Sequence, residues 1–577
     1  MKRIYKIAAA ASIVAFLASC SEGPLVTKSP ESVIPLPQEI SVGEGYLNLA
    51  GVKIVCDSGV PECAEKQISS FAADLDAKVP GALFGPKMYF ESDPSLAEEE
   101  YVIEVTEKKA TVKASGLSGY VYAIQTIKQM LPSSIWGDKN STPFVPGNPA
   151  DKSVQPEQAQ EAYSDWALPV MTIRDYPRFA YRGMHLDCSR HFFSIEEVYR
   201  YLDIMAAHKL NRFHWHLTDD QGWRIEMKKH PRIIERGAWR EGTVIAKNWG
   251  SNDGIRYGGY YTQDELRQAV EYAAARGITI IPEIDLPGHM QSVLAAYPEL
   301  GCTGGPYEVW TTWGVSKDVL CVGNEKVFEV LEDILDELVD IFPSEYIHIG
   351  GDECPKDSWK KCPKCQAKIK ELGIKGDKKF TAEDYLQSYV MNRVEAYLND
   401  KGRKIIGWDE ILDGSISQTA TIMSWRGTEG GIKAAQSGRN AIMTPGGYCY
   451  FDYFQAKERT KEPLAIGSHL PVSQVYSYEP FDPVMTPEQC KHILGVQANM
   501  WTEYITSDAH LEYMLLPRMS ALSEVQWCQP ERKDFGRFRN SLQNNMLPIY
   551  QAMGLNYGTH AFDGRMDADE KTPPVGW

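Results

Sequence analysis

The sequence predicts an α/β protein: a parallel (β/α)8 TIM barrel preceded by a small α+β domain. Three observations carry this. The chain has 577 residues, more than one ordinary domain holds. Eight short strand-like runs occur at 183–187, 212–217, 278–285, 346–351, 404–408, 421–425, 440–444 and 494–501. Most are separated by helical patterns, the rhythm of a barrel spread over about 350 residues. Unusual polar and aromatic residues also collect just after these runs, at the ends where barrel enzymes place their chemistry. An open doubly wound sheet is the alternative. No GxGxxG or Walker-type loop follows the first strands, which weakens its nucleotide-binding version.

The elements follow in order. Residues 1–20 read as a lipoprotein signal peptide: Lys2, Arg3 and Lys6, an apolar run over 7–17, then Leu17-Ala-Ser-Cys20. Cys20 is the expected lipidation site, anchoring the chain to a bacterial cell envelope on its periplasmic or surface side. An ordinary signal peptide with an incidental cysteine is the alternative. Residues 21–32 read as a polar tether, 33–174 as the α+β domain, and 175–577 as the barrel. In the first domain, 102–105 and 111–114 alternate like paired strands around Glu107-Lys108-Lys109. Residues 120–131 predict a helix stopped by Pro132, and 133–164 a Pro/Gly/Ser/Gln-rich loop. In the barrel, Val327, Leu331, Ile334, Leu335 and Leu338 follow helical spacing. A second helix starts at the cap Thr262 and stops at Gly277.

Composition narrows the partners. The net charge of −17 disfavours nucleic acid, which needs a basic footprint, and an anionic membrane surface. Aromatic residues make up 11% of the chain, with 14 Trp and 30 Tyr. Most belong in cores, but sugar clefts use them as flat apolar platforms. Eleven cysteines remain after Cys20. Cys302 with Cys321, and less strongly Cys56 with Cys63, are candidate disulfides. Their odd number leaves a free thiol, expected at a buried position such as Cys188 or Cys449. Cys354, Cys362 and Cys365 include a CxxC, yet no fourth ligand is evident nearby, so neither metal nor cofactor is expected. The 361–379 stretch, rich in Lys and Cys, is expected at the rim of the site without an assigned role.

The chemistry gathers at strand ends. Tyr346-Ile-His-Ile-Gly-Gly-Asp-Glu353 presents two adjacent carboxylates, Asp352 and Glu353. An acid pair fits glycosidic cleavage, but neighbours on a strand point to opposite faces. They therefore cannot easily face each other across a sugar as acid and nucleophile. His214 and His216 flank Trp215 and read as core histidines or, with His289 or an acid, as zinc ligands lacking any supporting spacing.

Six ordered motifs carry a resemblance. They are Arg182-Gly-Met-His-Leu-Asp-Cys-Ser-Arg-His191, Phe213-His-Trp-His-Leu-Thr-Asp-Asp220, Pro282-Glu-Ile-Asp-Leu-Pro-Gly-His289, His348-Ile-Gly-Gly-Asp-Glu353, Gly407-Trp-Asp-Glu410 and Gln497-Ala-Asn-Met-Trp-Thr-Glu503. Together with Pro35-Leu-Pro37 and 119–126 in the first domain, the chain resembles the family 20 glycoside hydrolases, the β-N-acetylhexosaminidases. The resemblance implies an exo-acting, retaining enzyme on glycans or chitooligosaccharides ending in N-acetylhexosamine. In that family the substrate's own acetamido group replaces the enzyme nucleophile, the exception to the two-carboxylate scheme. It implies Glu353 as general acid/base with a raised pKa, and Asp352 as holder of the acetamido N–H. Arg190, Asp452 and Glu503 are implied for sugar hydroxyls, and Tyr450 for the acetamido carbonyl. Trp408, Trp425 and Trp501 are implied as walls, and Asp219 and His289 as supports of Glu353. A disaccharide-releasing relative of the lacto-N-biosidase type and a non-catalytic glycan-binding lipoprotein remain alternatives, as do monomer and homodimer.

Overall fold

The computed structural model describes residues 26–137 and 165–562; Cys20, the signal segment and most of the predicted 133–164 loop lie outside them. The first domain is a six-stranded sheet: β1 (Glu39–Asn48), β2 (Lys53–Cys56), β3 (Lys87–Ser92), β4 (Tyr101–Val105), β5 (Lys109–Ala114) and β6 (Ala167–Asp175). Its order is β1-β6-β4-β5-β3-β2. β4 and β5 form the expected hairpin, with Ile103 opposite Val112. Buried Tyr101, Ile103 and Val105 alternate with half-buried Val102 and Glu104, the pattern of a sheet with one face covered. Helices Glu62–Lys78 and Leu117–Met130 pack on it. The end of the stretch read as a tether is ordered: Ser29 caps a 3-10 turn at Pro30–Ser32, and Asn545 near the C-terminus donates to the Ser32 carbonyl at 3.1 Å.

Eight parallel strands close in sequence order into a barrel. They run Tyr181–Asp187, Arg212–His216, Thr279–Glu283, Tyr346–His348, Lys404–Trp408, Thr421–Ser424, Ala441–Met443 and Ile493–Ala498. The fourth is three residues shorter than predicted. Gly350 and Gly351 take φ of 63° and 98°, which turns the chain out of β space. A Cβ on Gly350 would sit 1.7 Å from the Asp285 carboxylate, so the turn requires glycine there. The helix Lys326–Ile341 buries all five residues that its spacing selected. The helix Gln263–Ala274 carries a full capping box between Thr262 and Glu265.

Buried ion pairs fasten the two domains. Lys209 at the foot of the barrel meets Asp175 of β6 at 2.9 Å with both side chains fully buried. Arg182 of the first barrel strand meets Glu99 at 2.7 Å and donates to the Tyr122 hydroxyl at 2.8 Å. Removing one partner of such a pair strands a buried charge, so these contacts specify one docking geometry.

Both predicted disulfides are absent. Cys56 and Cys63 are free and exposed, at the end of β2 and the start of the next helix. Cys302 and Cys321 are also free and lie with two further sulfurs. Cys188 and Cys449 are buried free thiols, as expected. Among the described residues, no helix is long and apolar enough to cross a membrane.

Candidate active site

The strand ends converge on a cleft of about 250 Å³ at the C-terminal face. Arg190, Asp352, Glu353, Asp452 and Glu503 supply its polar wall, and Trp408, Trp425, Tyr450 and Trp501 its apolar one. A hollow of about 300 Å³ at the opposite face, beside Arg212, Thr279 and Tyr346, is lined by one carboxylate, Glu345. The N-terminal face of a barrel serves stability rather than chemistry, so the first cleft is the candidate site.

The adjacent acids reach it together because they have left the strand. After the two left-handed glycines, Glu353 itself takes φ 42°, a conformation that costs a non-glycine residue about 1–3 kcal/mol. Gly351 N–H donates to Asp285 at 3.2 Å and Gln387 donates to the Gly351 carbonyl at 2.6 Å, which holds the turn. The rule that strand neighbours point apart therefore does not apply. One oxygen of Asp352, one of Glu353 and a ring nitrogen of His289 lie within 4.8 Å of one another. The Glu353 side chain is 44% exposed, whereas that of Asp352 is 12% exposed. Burial and then the neighbouring Asp352 push the Glu353 carboxyl above the ordinary glutamate range, despite opposition from His289 and Arg190.

Behind the cleft lies a paired network. Arg190 donates to Gln221 at 3.0 Å and Asp187 at 3.3 Å, and meets Asp219 at 2.8 Å. Three of its five N–H groups are thereby spent in fixing the fork. Asp219 does not line the cleft. It is 1% exposed and accepts from Arg190, from His216 at 3.0 Å and from His289 at 3.1 Å. Burial opposes its charge, but Arg190 and His289 hold its carboxyl well below the usual range. His289, at φ 51°, turns its second nitrogen toward Asp352 at 4.0 Å and Glu353 at 3.8 Å. Burial disfavours the imidazolium, yet Asp219 and Asp285 raise its pKa well above that of ordinary histidine.

Deeper still, Glu283 is fully buried among His214 at 2.9 Å, His216, and His348 at 2.9 Å, and accepts from the Trp408 indole at 2.9 Å. His214 and His216 are thus core histidines bound to a carboxylate. Two nearby carboxylates, Glu283 and Asp219, push His216 up to about 10 against its desolvation.

The aromatic wall is pinned by its polar edges. Trp408 is held by Glu283, and Trp425 donates to Glu410 at 3.0 Å. Trp425 and Tyr450 stack at 6.2 Å, and Trp408 and Trp501 lie 5.9 Å apart. Arg190 sits 5.1 Å from the Trp501 ring. Tyr450 is set by a parallel bridge to Asn499. Several buried polar atoms around the cleft have no hydrogen-bond partner among the described residues: His289 Nε2, Asp352 Oδ1, Asp452 Oδ1 and Glu503 Oε2. Buried polar groups normally find partners, so this convergence marks a surface shaped for a polar ligand. Burial and then Glu503 raise the Asp452 carboxyl well above its ordinary range, and burial and Asp187 raise Glu503 against Arg190.

Every cleft-lining residue selected from sequence is here. Sequence reasoning passed over Glu410, Tyr453 and Ile466. Glu410 had a signal, since it closes the Gly407-Trp-Asp-Glu410 motif. Burial and then Asp352 push it up to about 9. Glu410 stands behind the Trp425 edge of the wall, whereas Tyr453 and Ile466 line the cleft itself and sit in the long connection after the seventh strand, where no motif marks them.

The catalytic-domain model of glycosyl hydrolase family 20 matches residues 179–530, and the domain 2 model of that family matches residues 31–176. A beta-hexosaminidase of Porphyromonas gingivalis is 37% identical over 555 residues, covering 94% of this chain and 66% of that protein. The chain thus spans just under two thirds of that relative's length. A beta-hexosaminidase of Vibrio furnissii is 33% identical over 509 residues, covering 87% of this chain and 77% of that one. The structure is similar to that of a family 20 exo beta-N-acetylglucosaminidase from Vibrio harveyi in complex with N-acetylglucosamine (TM-score 0.74, 30% identity, 93% and 80% coverage). It is similar also to an N-acetyl-beta-hexosaminidase from Streptomyces plicatus (TM-score 0.75, 26% identity, 92% and 97% coverage).

Proposed function

This chain belongs to glycosyl hydrolase family 20, and from that premise we propose that it is an exo-acting, retaining β-N-acetylhexosaminidase working by substrate assistance. The observation that carries the mechanism is the placement of Asp352 and Glu353 on one wall, with oxygens within 4.8 Å. In retaining two-carboxylate enzymes the two carboxyl groups stand on opposite sides of the scissile bond. Two successive residues sharing one wall cannot straddle an anomeric carbon. The nucleophile then comes from the sugar.

Glu353, whose surroundings shift it toward the protonated form, gives its proton to the glycosidic oxygen. The acetamido carbonyl oxygen attacks C1 as the C1–O bond breaks, and Asp352 accepts from the acetamido N–H and balances the positive charge that develops. Glu353, now a carboxylate, takes a proton from the water that opens the oxazolinium. Trp408, Trp425 and Trp501 wall the acetamido pocket, and Tyr450 donates to the carbonyl oxygen. Arg190, Asp452 and Glu503 take ring hydroxyls, the unpartnered Asp452 and Glu503 oxygens being suited to accept from them. Asp219 and His289 act as positioning residues, the first holding Arg190 and the second facing both acids.

A thiazoline analogue of N-acetylglucosamine tests the reading. It should inhibit competitively, and an aryl glycoside of glucosamine lacking the acetyl group should not turn over. Turnover of the deacetylated substrate at a comparable rate would defeat substrate assistance. We extend the proposal to export and lipid anchoring through Cys20. Radiolabelled fatty acid should enter the wild-type chain in a bacterial host and not Cys20→Ala; equal labelling of the two would refute it.

A further inference from the structure

We propose that Cys302, Cys321, Cys362 and Cys365 bind a structural Zn²⁺ that ties together the two loops flanking the cleft. The four sulfurs all lie within 4.8 Å of one another. The closest separations are 3.6 Å from Cys321 to Cys362, 3.7 Å from Cys321 to Cys365 and 3.9 Å from Cys302 to Cys365. A tetrahedron with Zn–S bonds of about 2.3 Å has edges of about 3.8 Å. A disulfide needs about 2.05 Å and a single partner for each sulfur, whereas Cys321 is nearly equidistant from two. Four thiolates without an open position are the donor set of a closed structural site, and soft tetrahedral S₄ sites select zinc or iron.

The backbone is shaped for the same purpose. A Cβ on Gly323 would fall 2.1 Å from the Lys364 carbonyl carbon and 2.6 Å from the Cys365 nitrogen, so only glycine allows this approach to the CxxC turn. Pro363 opens the helix Pro363–Glu371, which carries Cys365 in its first turn. Three of the four cysteines are buried.

The position explains what the metal would do. Cys302 and Cys321 lie in the loop after the third strand, which also supplies His289. Cys362 and Cys365 lie in the segment after the fourth strand, which supplies Asp352 and Glu353. Other bonds cross the same seam: the Trp359 indole donates to the Leu320 carbonyl at 2.8 Å, and the Ser358 hydroxyl donates to the Lys317 carbonyl at 2.9 Å. Cys354 takes no part; it packs beside Gly288. The stretch 361–379 thereby gains a role as the outer half of a metal clamp.

The test is elemental analysis of the full chain, purified in chelator-free buffer, with intact-mass measurement under denaturing conditions. We expect one zinc per chain and a mass retaining all four thiol hydrogens. Metal removal should lower Tm, and added Zn²⁺ should restore it. Cys365→Ser should lose the zinc, while Cys490→Ser, at a site outside the cluster, keeps it. A mass lighter by four hydrogens with no metal would show two disulfides and overturn the proposal. So would free thiols that fail to take up Zn²⁺ when the chain is titrated with zinc chloride, or iron found in place of zinc.

Discussion

The floor of the barrel and the cleft above it are built from the same residue types and treat charge oppositely. On the floor, Glu283 and Asp219 are surrounded by donors, and despite complete burial their carboxyls are held well below the ordinary range. In the cleft, Glu353, Asp452 and Glu503 are desolvated beside other acids and all are raised, as is Glu410 behind the Trp425 edge of the wall. Burial alone thus does not decide the charge state. The number of donors facing each oxygen does. Glu283 and Asp219 keep their charge and fix imidazoles, an indole and a guanidinium, whereas Glu353, Asp452 and Glu503 are left short of donors that a substrate can supply.

The largest way to break this comparison is to neutralise one acid from each layer. Glu353→Gln should lower kcat about 10²–10⁴-fold, the range of general acid–base catalysis, with Tm unchanged or slightly higher because a disfavoured charge is removed. Glu283→Gln should instead cost about 3–5 kcal/mol of stability, since the charged His216 loses one of its two buried carboxylate partners. Chemical denaturation of both variants beside aryl-glycoside kinetics checks the contrast. Equal destabilisation would erase the distinction between the layers.

Asp352→Asn sharpens the comparison within the cleft. It should reduce kcat about 10²-fold, as loss of one preorganised electrostatic contact does. It should also move the alkaline limb of the kcat/KM profile. Asp352 raises the Glu353 pKa, so removing its charge lowers that pKa and shifts the limb to lower pH. A limb that stays in place would mean that another group sets it.

The smallest effect on activity belongs to Glu410. Its folded-state pKa of about 9 exceeds the ordinary value of 4.5, so the folded state holds the proton more tightly. That contribution to stability is complete below pH 4.5 and is lost as pH rises toward 9. Glu410→Gln should therefore match wild type in acid and become progressively more stable than wild type as pH rises from about 4.5 toward 9. Urea midpoints across this window measure it.

Local patterns carried a great deal. The eight strands, the Thr262 cap, the apolar face of 326–341 and the order of the polar strand ends are written in short runs, because periodicity and turn chemistry act over a few residues. The acid pair was legible as a pair, but its orientation was not: it depends on Gly350 and Gly351 turning tightly against Asp285, a residue of the loop after another strand. The cysteines show the same limit more sharply. Cys362 and Cys365 announce themselves by spacing, while their companions Cys302 and Cys321 lie in the preceding βα loop and looked like a disulfide. The sequence by itself determined which elements form and which side chains stand at their ends. Only the closed barrel decided which ends meet, which carboxylates find donors and which four sulfurs share a site, because those depend on distances between segments that no local interaction sets.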